Sequence, residues 1–575
     1  MENDRRKPRP FVLMLVFYVV SIAGAKAQTT PAASLQASVP DWWKHAVIYE
    51  VYPRSFQDSN GDGVGDLRGI TQRLDYLRNL GVDTIWISPM YPSPQVDFGY
   101  DISNYEAIDP QYGTMADFDD LLRQTKLRGM HLILDAVMNH TSDQHPWFVE
   151  SRSSRTSPKR DWYVWADGRN GGPPNNWTSG FGGSAWELDA KTNQYYYHNF
   201  YKQQPDLNWR NPEVRQAMES MLRFWLEKGV SGFRLDAILT LFEDPTLKDA
   251  KLLGGTTPYG EPRMDHSLQN NLPEVHGVLR ELRQLVDQYS GHPVLIGEDY
   301  LTTPEKLREL YGMHNDELQL PMDMQLGFID KLDVARFRKA ISDSVHLLGG
   351  NQPLFVFDNH DKPRSWDRYG DGVHNDAIAR IIATILLTTQ ATPILYEGQE
   401  IGMKTSVPTL REEVQDPIGI RGWPAVKGRD GERTPMQWDG SKNAGFSTAA
   451  KTWLPVAANF RQVNVASEAA NPDSLLNWYK SLLALRQASV ALRDGETIIF
   501  DNEPDVLAFA RTAPSVSVLM LSNFSNHGVD YRLPDGKIAG RCLLSSVDAQ
   551  ARAEQVVHLP PYAVWVGELS DSTKP

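Results

Sequence analysis

Gly232-Phe233-Arg234-Leu235-Asp236 is a short apolar run that opens on glycine and closes on a carboxylate. Successive strand residues point to opposite faces, so Arg234 and Asp236 share one face while Phe233 and Leu235 share the other. The strand candidate here is Gly232–Ile238, and working outward seven more runs of this kind recur along the chain: Val47–Phe56, Thr84–Tyr91, His131–Met138, Val294–Tyr300, Leu318–Leu326, Pro353–Phe357 and Thr392–Tyr396. Helical patterns lie between them, over Asp66–Leu80, Met115–Leu127, Pro212–Lys228 and Glu274–Tyr289. Strands alternating with helices imply parallel strands joined by helical crossovers. Eight such units predict an α/β fold, a (β/α)8 TIM barrel, whose chemistry belongs at the C-terminal ends of the strands.

Two regions break the alternation. Residues 141–200 follow strand three and are rich in Gly, Pro, Asn, Trp and Tyr, too long for an ordinary loop, and read as a small inserted domain. Residues 494–575 show strands and turns without a helical period, over Thr497–Phe500, Val506–Arg511, Val516–Asn523 and Val556–Leu569, and read as a C-terminal antiparallel β-sandwich. The barrel is then residues 41–140 and 201–493. An irregular stretch, Thr405 to Phe446, follows strand eight and can reach over the same barrel face.

The N-terminus has a different character. Arg5, Arg6, Lys7 and Arg9 precede an apolar run from Phe11 to Ala25, and Ala25-Lys26-Ala27 offers a small-residue cleavage site. That is the three-part pattern of a secretory signal over residues 1–27, too short for a comfortable membrane span, and residues 28–40 read as a linker. Export, to the periplasm or medium, is the expectation. The formal charge of −14 over 575 residues argues against nucleic acid or an anionic membrane as partner and suits a neutral substrate. The lone Cys542 excludes an intrachain disulfide. Whether the chain is a monomer or a homodimer is left open by these features.

Three carboxylates close strands four, five and seven. Asp236 has Arg234 beside it to keep it ionised, as a nucleophile requires; a plain buried ion pair is the competing account. Glu298 follows the buried Val294-Leu295-Ile296, with Gly297 leaving room, and partial desolvation suits a general acid; its neighbour Asp299 is the rival for that duty. Asp361 follows Asn359 and His360, and a His–carboxylate pair can hold two sugar hydroxyls. A carboxylate nucleophile with a carboxylic acid that later serves as base is the equipment of a retaining glycosidase. His140 ends Asp135-Ala136-Val137-Met138-Asn139-His140 and points from the end of strand three toward the same face.

Asp58-Ser59-Asn60-Gly61-Asp62-Gly63-Val64-Gly65-Asp66 places Asp58, Asn60, Asp62 and Asp66 at alternating positions, with the Val64 carbonyl as a further oxygen. An oxygen-only set of this kind suits Ca2+ or Mg2+ in a structural role. Gly69 stands where an EF-hand has its bidentate Glu, so the loop is not an EF-hand. Nothing in the chain calls for an organic cofactor.

These segments together resemble the α-glucosidases of the α-amylase superfamily, the family 13 glycoside hydrolases. Asp135–His140, Gly232–Asp236, Ile296–Asp299 and Phe357–Asp361 are similar to four recurrent segments of that superfamily. Gln204-Pro205-Asp206-Leu207-Asn208 resembles a fifth, in its oligo-1,6-glucosidase and α-glucosidase form. The resemblance runs from Trp42 to the C-terminus. It implies Asp236 as nucleophile, Glu298 as acid/base and Asp361 as transition-state stabiliser. It implies Arg234, His140 and His360 as ligands of the first sugar, and Asp97 and Tyr100 as a pocket-closing carboxylate and a stacking tyrosine. Arg433, in Arg433-Thr434-Pro435-Met436-Gln437-Trp438, is implied as the arginine pairing with Asp97. A pocket so closed accepts only a chain end, giving exo release of glucose. Ala237 goes in this family with α-1,4 rather than α-1,6 preference, a difference of about 1–3 kcal/mol for a side chain of this size. Other reactions on the same scaffold are the alternatives: α-1,6 hydrolysis, transglucosylation, and sucrose or trehalose isomerisation. Non-catalytic transporter heavy chains resemble the family too, but they carry a genuine membrane span and usually lack part of the catalytic set, which is whole here.

Overall fold

The computed structural model describes residues 41–301, 303–546, 550–553 and 555–572. The signal and linker readings of residues 1–40 lie outside them. Eight parallel strands close into a barrel: β1 (Ile48–Val51), β2 (Thr84–Ile87), β3 (His131–Val137), β4 (Gly232–Asp236), β5 (Val294–Gly297), β6 (Leu320–Asp323), β7 (Leu354–Val356) and β8 (Thr392–Tyr396). Each pairs with its sequence neighbours, and β8 returns to β1 through Ile48 opposite Ile394. All eight strands lie where the apolar runs predict them. Only β8 fills its run; the others stop one to five residues short at the C-terminal end. There the chain turns outward into loops that stay buried and apolar, so hydrophobicity does not mark the stop. After β1 the predicted strand becomes a helical turn, Pro53–Phe56, started by the fixed φ of Pro53.

Alternation along the strands builds two cores. Ile48, Trp86, Ile133, Ile296, Leu320, Leu354 and Ile394 cluster with others in one apolar core that draws on seven of the eight strands. Tyr49, Val51, Ile85, Ile87, Phe233 and Leu235 join the larger core with the surrounding helices. Local signals set the helix ends. Met115–Leu127 begins with a reciprocal Thr114–Asp117 capping box. Pro212–Lys228 begins with Asn211 capping Glu213 and Pro212 in the first turn, and ends at Gly229 in the left-handed region. The predicted helix 66–80 is two, Leu67–Gln72 and Leu74–Leu80. Arg73 breaks it, donating to the Gln57 side chain and lying over the Trp438 ring.

Between β3 and β4, the strands Trp165–Ala166, Gln194–Tyr197 and Trp186–Asp189 form a small antiparallel sheet. After β4 comes a hairpin, Leu252–Thr256 with Pro262–Met264. The C-terminal region holds a five-stranded and a three-stranded antiparallel sheet, packed through a shared core that includes Ala508, Leu521, Tyr531, Val557 and Trp565. Its first strand is Glu496–Phe500. The run read as one strand over 556–569 is two, Val556–Leu559 and Val564–Asp571, in different sheets, because Pro560 and Pro561 interrupt the ladder. Val529–Arg532, Lys537–Ser545 and Gln550–Ala553 are further strands. No helix among the described residues is long and apolar enough to cross a membrane.

Gly232 starts β4 at φ 146°, and a Cβ there would lie 2.2 Å from the Val294 carbonyl oxygen. Gly232→Ala is expected to destabilise the protein by about 2–4 kcal/mol through this backbone clash. A thermal melt at the wild-type temperature would show that the β4–β5 seam relaxes freely.

Candidate active site

Strand alternation and strand ends bring the candidate residues to one place. A cavity of about 860 Å³ opens at the C-terminal face of the barrel, lined by Asp97, Tyr100, His140, Asp236, Glu298 and Asp361 among others. At its floor Arg234, 1% exposed, holds three carboxylates on one guanidinium. One terminal nitrogen lies 2.6 Å from Asp236 Oδ1 and 2.9 Å from Asp135 Oδ1, and the other 2.5 Å from Glu298 Oε1. Three negative charges on one cation favour retention of protons. Burial first, then repulsion from Glu298 and Asp135, pushes Asp236 up against the pull of Arg234. Burial likewise pushes Asp135 up, to about 6.

Glu298 has a second anchor. Its Oε2 accepts from the backbone N–H of Ala237 at 3.0 Å, and its Oε1 from the Tyr300 hydroxyl at 3.1 Å. Ala237 sits at φ 46°, ψ 40°, a left-handed conformation uncommon for a residue with a side chain. The turn that aims its N–H at Glu298 therefore carries backbone strain next to Asp236. Asp299 is buried beside it, its Oδ1 accepting from Leu301 N–H.

Asp361 is electrostatically the opposite of Asp236. Burial works to raise it, but His360, Arg429, Arg433 and Arg234 hold it well below the usual carboxylate range. Arg429 and Arg433 both donate to its Oδ1, at 3.0 and 2.7 Å. The His360 ring is stacked between Tyr52 and Tyr100, and its Nε2 lies 2.9 Å from the Tyr100 hydroxyl. His140 is fully buried, which lowers its pKa to about 4 and leaves a neutral ring at pH 7, in contact with Gln204.

The pairing of Arg433 with Asp97 is corrected. Arg429 makes that contact, at 2.8 Å, and also grips Asp416. Arg433 turns instead to Asp361 and to the His360 carbonyl. The two arginines are four residues apart in an irregular segment, where no periodicity says which one faces which acid. Gln204 is a further contact beyond the candidate set: its amide donates to Asp97 Oδ2 at 3.1 Å and meets His140. The Gln204–Asn208 segment was its sequence signal. Tyr300, Asp135 and Arg429 are the other additions; Asp135 opens a motif already singled out, whereas Arg429 has no local signal.

The Asp58–Asp66 loop folds on itself. Asp58 accepts from the N–H groups of Asn60, Gly61 and Gly63 and from Ser447. Asp66 caps Gly69 and binds Ser59. Among the described residues no three His, Cys, Asp or Glu side chains gather as a metal site. An ion in this loop therefore depends on Asn60 and the Val64 carbonyl as much as on Asp58, Asp62 and Asp66. These are the hard oxygen donors that Ca2+ or Mg2+ takes, but both oxygens of Asp58 and Oδ1 of Asp66 already accept from two donors each within the protein.

Known proteins share this architecture. The oligo-1,6-glucosidase of Parageobacillus thermoglucosidasius is 40% identical over 92% of this chain and 99% of its own. The α-glucosidase of Pediococcus pentosaceus is 39% identical over 93% of this chain and 100% of its own. The crystal structure of trehalulose synthase MutB from Pseudomonas mesoacidophila MX-45 superposes with a TM-score of 0.86 at 37% identity, covering 92% of this chain and 100% of that one. With such relatives, turnover of a chromogenic α-glucoside is a practical readout of the Asp97 contact. In double-mutant cycles, Asp97→Asn with Arg429→Met is expected to show a coupling of about 1–3 kcal/mol in kcat/KM, and Asp97→Asn with Arg433→Met less than about 0.5 kcal/mol. The reverse ranking would restore Arg433 as the partner of Asp97.

The family model for the α-amylase catalytic domain matches residues 50–495, most of the chain and all of the barrel strands but the first two residues of β1. Matched across the strands that carry Arg234, Asp236, Glu298 and Asp361, and 40% identical to a glucosidase over nearly its full length, the chain belongs to the α-amylase family of glycoside hydrolases, family 13.

Proposed function

We propose that this enzyme is an exo-acting, retaining α-glucosidase that releases glucose from the non-reducing ends of maltose-like α-1,4-linked substrates. The observation that carries the reading is the shared guanidinium: Arg234 holds Asp236 and Glu298 on its two terminal nitrogens. The width of that fork favours the short carboxyl separation of retaining enzymes, about 5–5.5 Å, over the about 6.5–9.5 Å of inverting ones. Asp236 attacks the anomeric carbon while the glycosidic C–O bond breaks and the leaving oxygen takes the proton of Glu298. The Glu298 carboxylate then takes a proton from water, whose oxygen attacks the same carbon and frees Asp236. Burial and repulsion push Asp236 up in the free enzyme, so the mechanism requires its pairing with Arg234 to hold it ionised once substrate is bound. Asp361, held ionised by two arginines, suits the binding of two sugar hydroxyls. Asp97, Arg429 and Gln204 close the pocket beyond the first sugar, which supports exo action.

A second reading, isomerisation of sucrose on the same intermediate, draws support from the likeness to trehalulose synthase. It differs in the acceptor: the fructose hydroxyl attacks instead of water. Asp236→Asn is expected to lower kcat at least about 10³-fold, as loss of a nucleophile does. By proton NMR the wild type should release α-glucose first from an aryl α-glucoside, whose leaving group is not a second glucose, and should prefer maltose to isomaltose, sucrose and trehalose in kcat/KM. β-Glucose as first product would refute retention; trehalulose or isomaltulose from sucrose at rates above maltose hydrolysis would favour the second reading.

We propose further that Ca2+, or Mg2+ in its place, occupies the Asp58–Asp66 loop, held by Asp58, Asn60, Asp62, Val64 and Asp66. Its work there is to stiffen the loop after β1. Exhaustive EDTA dialysis is expected to lower the melting temperature by several degrees, with recovery on adding Ca2+. A ligand at about 100 times its Kd stabilises by about 2.7 kcal/mol. An enzyme free of metal by elemental analysis, with an unchanged melt, would remove the ion from the account.

A further inference from the structure

Tyr300 stands two residues after Glu298, in the loop that follows β5, and the reaction as written gives its ring no task. The ring lines the cavity and is 45% exposed, whereas Tyr52 and Tyr100 are buried. It is not free to swing. Its hydroxyl donates to Glu298 Oε1 at 3.1 Å, and Lys362 Nζ lies 5.5 Å from its ring centre and 5.0 Å from that of Phe328. The Phe328 ring lies 6.0 Å away at an interplanar angle of 33°. A ring tethered at its hydroxyl and backed by a lysine and a second ring is held in one orientation, so it presents a fixed apolar surface to the cavity.

Four tyrosine and phenylalanine rings line that cavity: Tyr100, Phe181, Phe200 and Tyr300. Three of them gather with the residues of the first sugar. Tyr100 stacks on His360 at 5.4 Å, Phe200 meets His140 at 5.1 Å, and Phe181 lies 5.4 Å from the guanidinium of Arg429, the partner of Asp97. Tyr300 is the one that touches the acid/base. Arg234 and Tyr300 fill Glu298 Oε1, while Oε2 accepts one N–H, from Ala237, and keeps capacity for the glycosidic oxygen. With Asp97 closing the far end, the departing sugar lies past Glu298, beside the Ala237 turn and Tyr300.

We propose that Tyr300 is a specificity-determining residue whose ring is the platform for the leaving sugar. One face of a pyranose carries C–H groups, and stacking it on an aromatic ring removes apolar surface of both from water. The same place receives an acceptor once the leaving sugar has gone, so the platform also governs transfer to sugars against transfer to water. The inference rests on the glucosidase reading, which makes Glu298 the acid. The plainer account is that the Tyr300 hydroxyl merely orients Glu298, and the two accounts separate by substrate.

α-Glucosyl fluoride fills the first subsite and departs as fluoride, so it never reaches the platform. Tyr300→Phe keeps the ring without the hydroxyl and is the reference. Relative to it, Tyr300→Leu is expected to raise KM for maltose about tenfold with kcat little changed, and to alter kcat/KM for the fluoride less than about twofold. Equal losses on both substrates overturn the proposal, as does a KM for maltose that matches the reference. Calorimetry in the Asp236→Asn background reads the contact without turnover: against Tyr300→Phe, Tyr300→Leu should weaken maltose about tenfold and leave glucose unchanged, and equal weakening of both sugars also overturns it. Failure of the glucosidase reading shows separately, as a wild type that turns over neither maltose nor the fluoride, and the platform then stands or falls on the maltose and glucose affinities.

Discussion

One buried cation organises the reactive centre. Arg234 is enclosed by the barrel, its guanidinium 5.0 Å from the Trp86 ring, and three carboxylates from three strands converge on it. A guanidinium cannot shed its proton in a protein, so its charge is fixed, while burial pushes Asp135 and Asp236 up. Taking one carboxylate away changes the balance of the other two, which is why their protonation is a property of the cluster. The barrel supplies the constraint that makes this possible: parallel register sets Arg234 beside Asp135 on one side and Ile296 on the other, with Glu298 just beyond.

A second tier of cations works on the opposite wall. Arg429 and Arg433 converge on Asp361, and Arg429 extends to Asp97 and Asp416. Asp361 is thereby kept anionic, while burial and repulsion push Asp236 and Asp135 up on the floor. The two tiers meet at His360, between Tyr52 and Tyr100, with Glu50 beneath. The same four or five side chains thus serve stability and chemistry together; removing one partner of a buried pair of this kind costs about 3–5 kcal/mol, mostly from the charge left behind.

Much of this was legible in the chain. Strands β1–β8 show as apolar runs because parallel barrel strands are covered on both sides. Helices 115–127 and 212–228 show because Thr114, Asn211, Pro212 and Gly229 mark their ends. The strand stops were not legible, since the loops after them are buried too. Nor were the strands at 529–532, 537–545 and 550–553, because 529–532 alternates buried and exposed residues over only four positions and the other two carry register shifts. In the site, residues that end strands or sit in compact motifs were found. Arg429 was missed and Arg433 misassigned because both lie on an irregular segment, whose path is set by what it packs against.

By itself, then, the sequence determined the barrel, the three carboxylates at strand ends and the family, because each depends on periodicity or on neighbours within a few residues. Tertiary structure alone decided which arginine faces Asp97, that Gln204 reaches both Asp97 and His140, and that Glu50 lies under His360. These contacts span tens to hundreds of positions. They are fixed by closure of the barrel and by the packing of the loops above it, neither of which leaves a local trace in the chain.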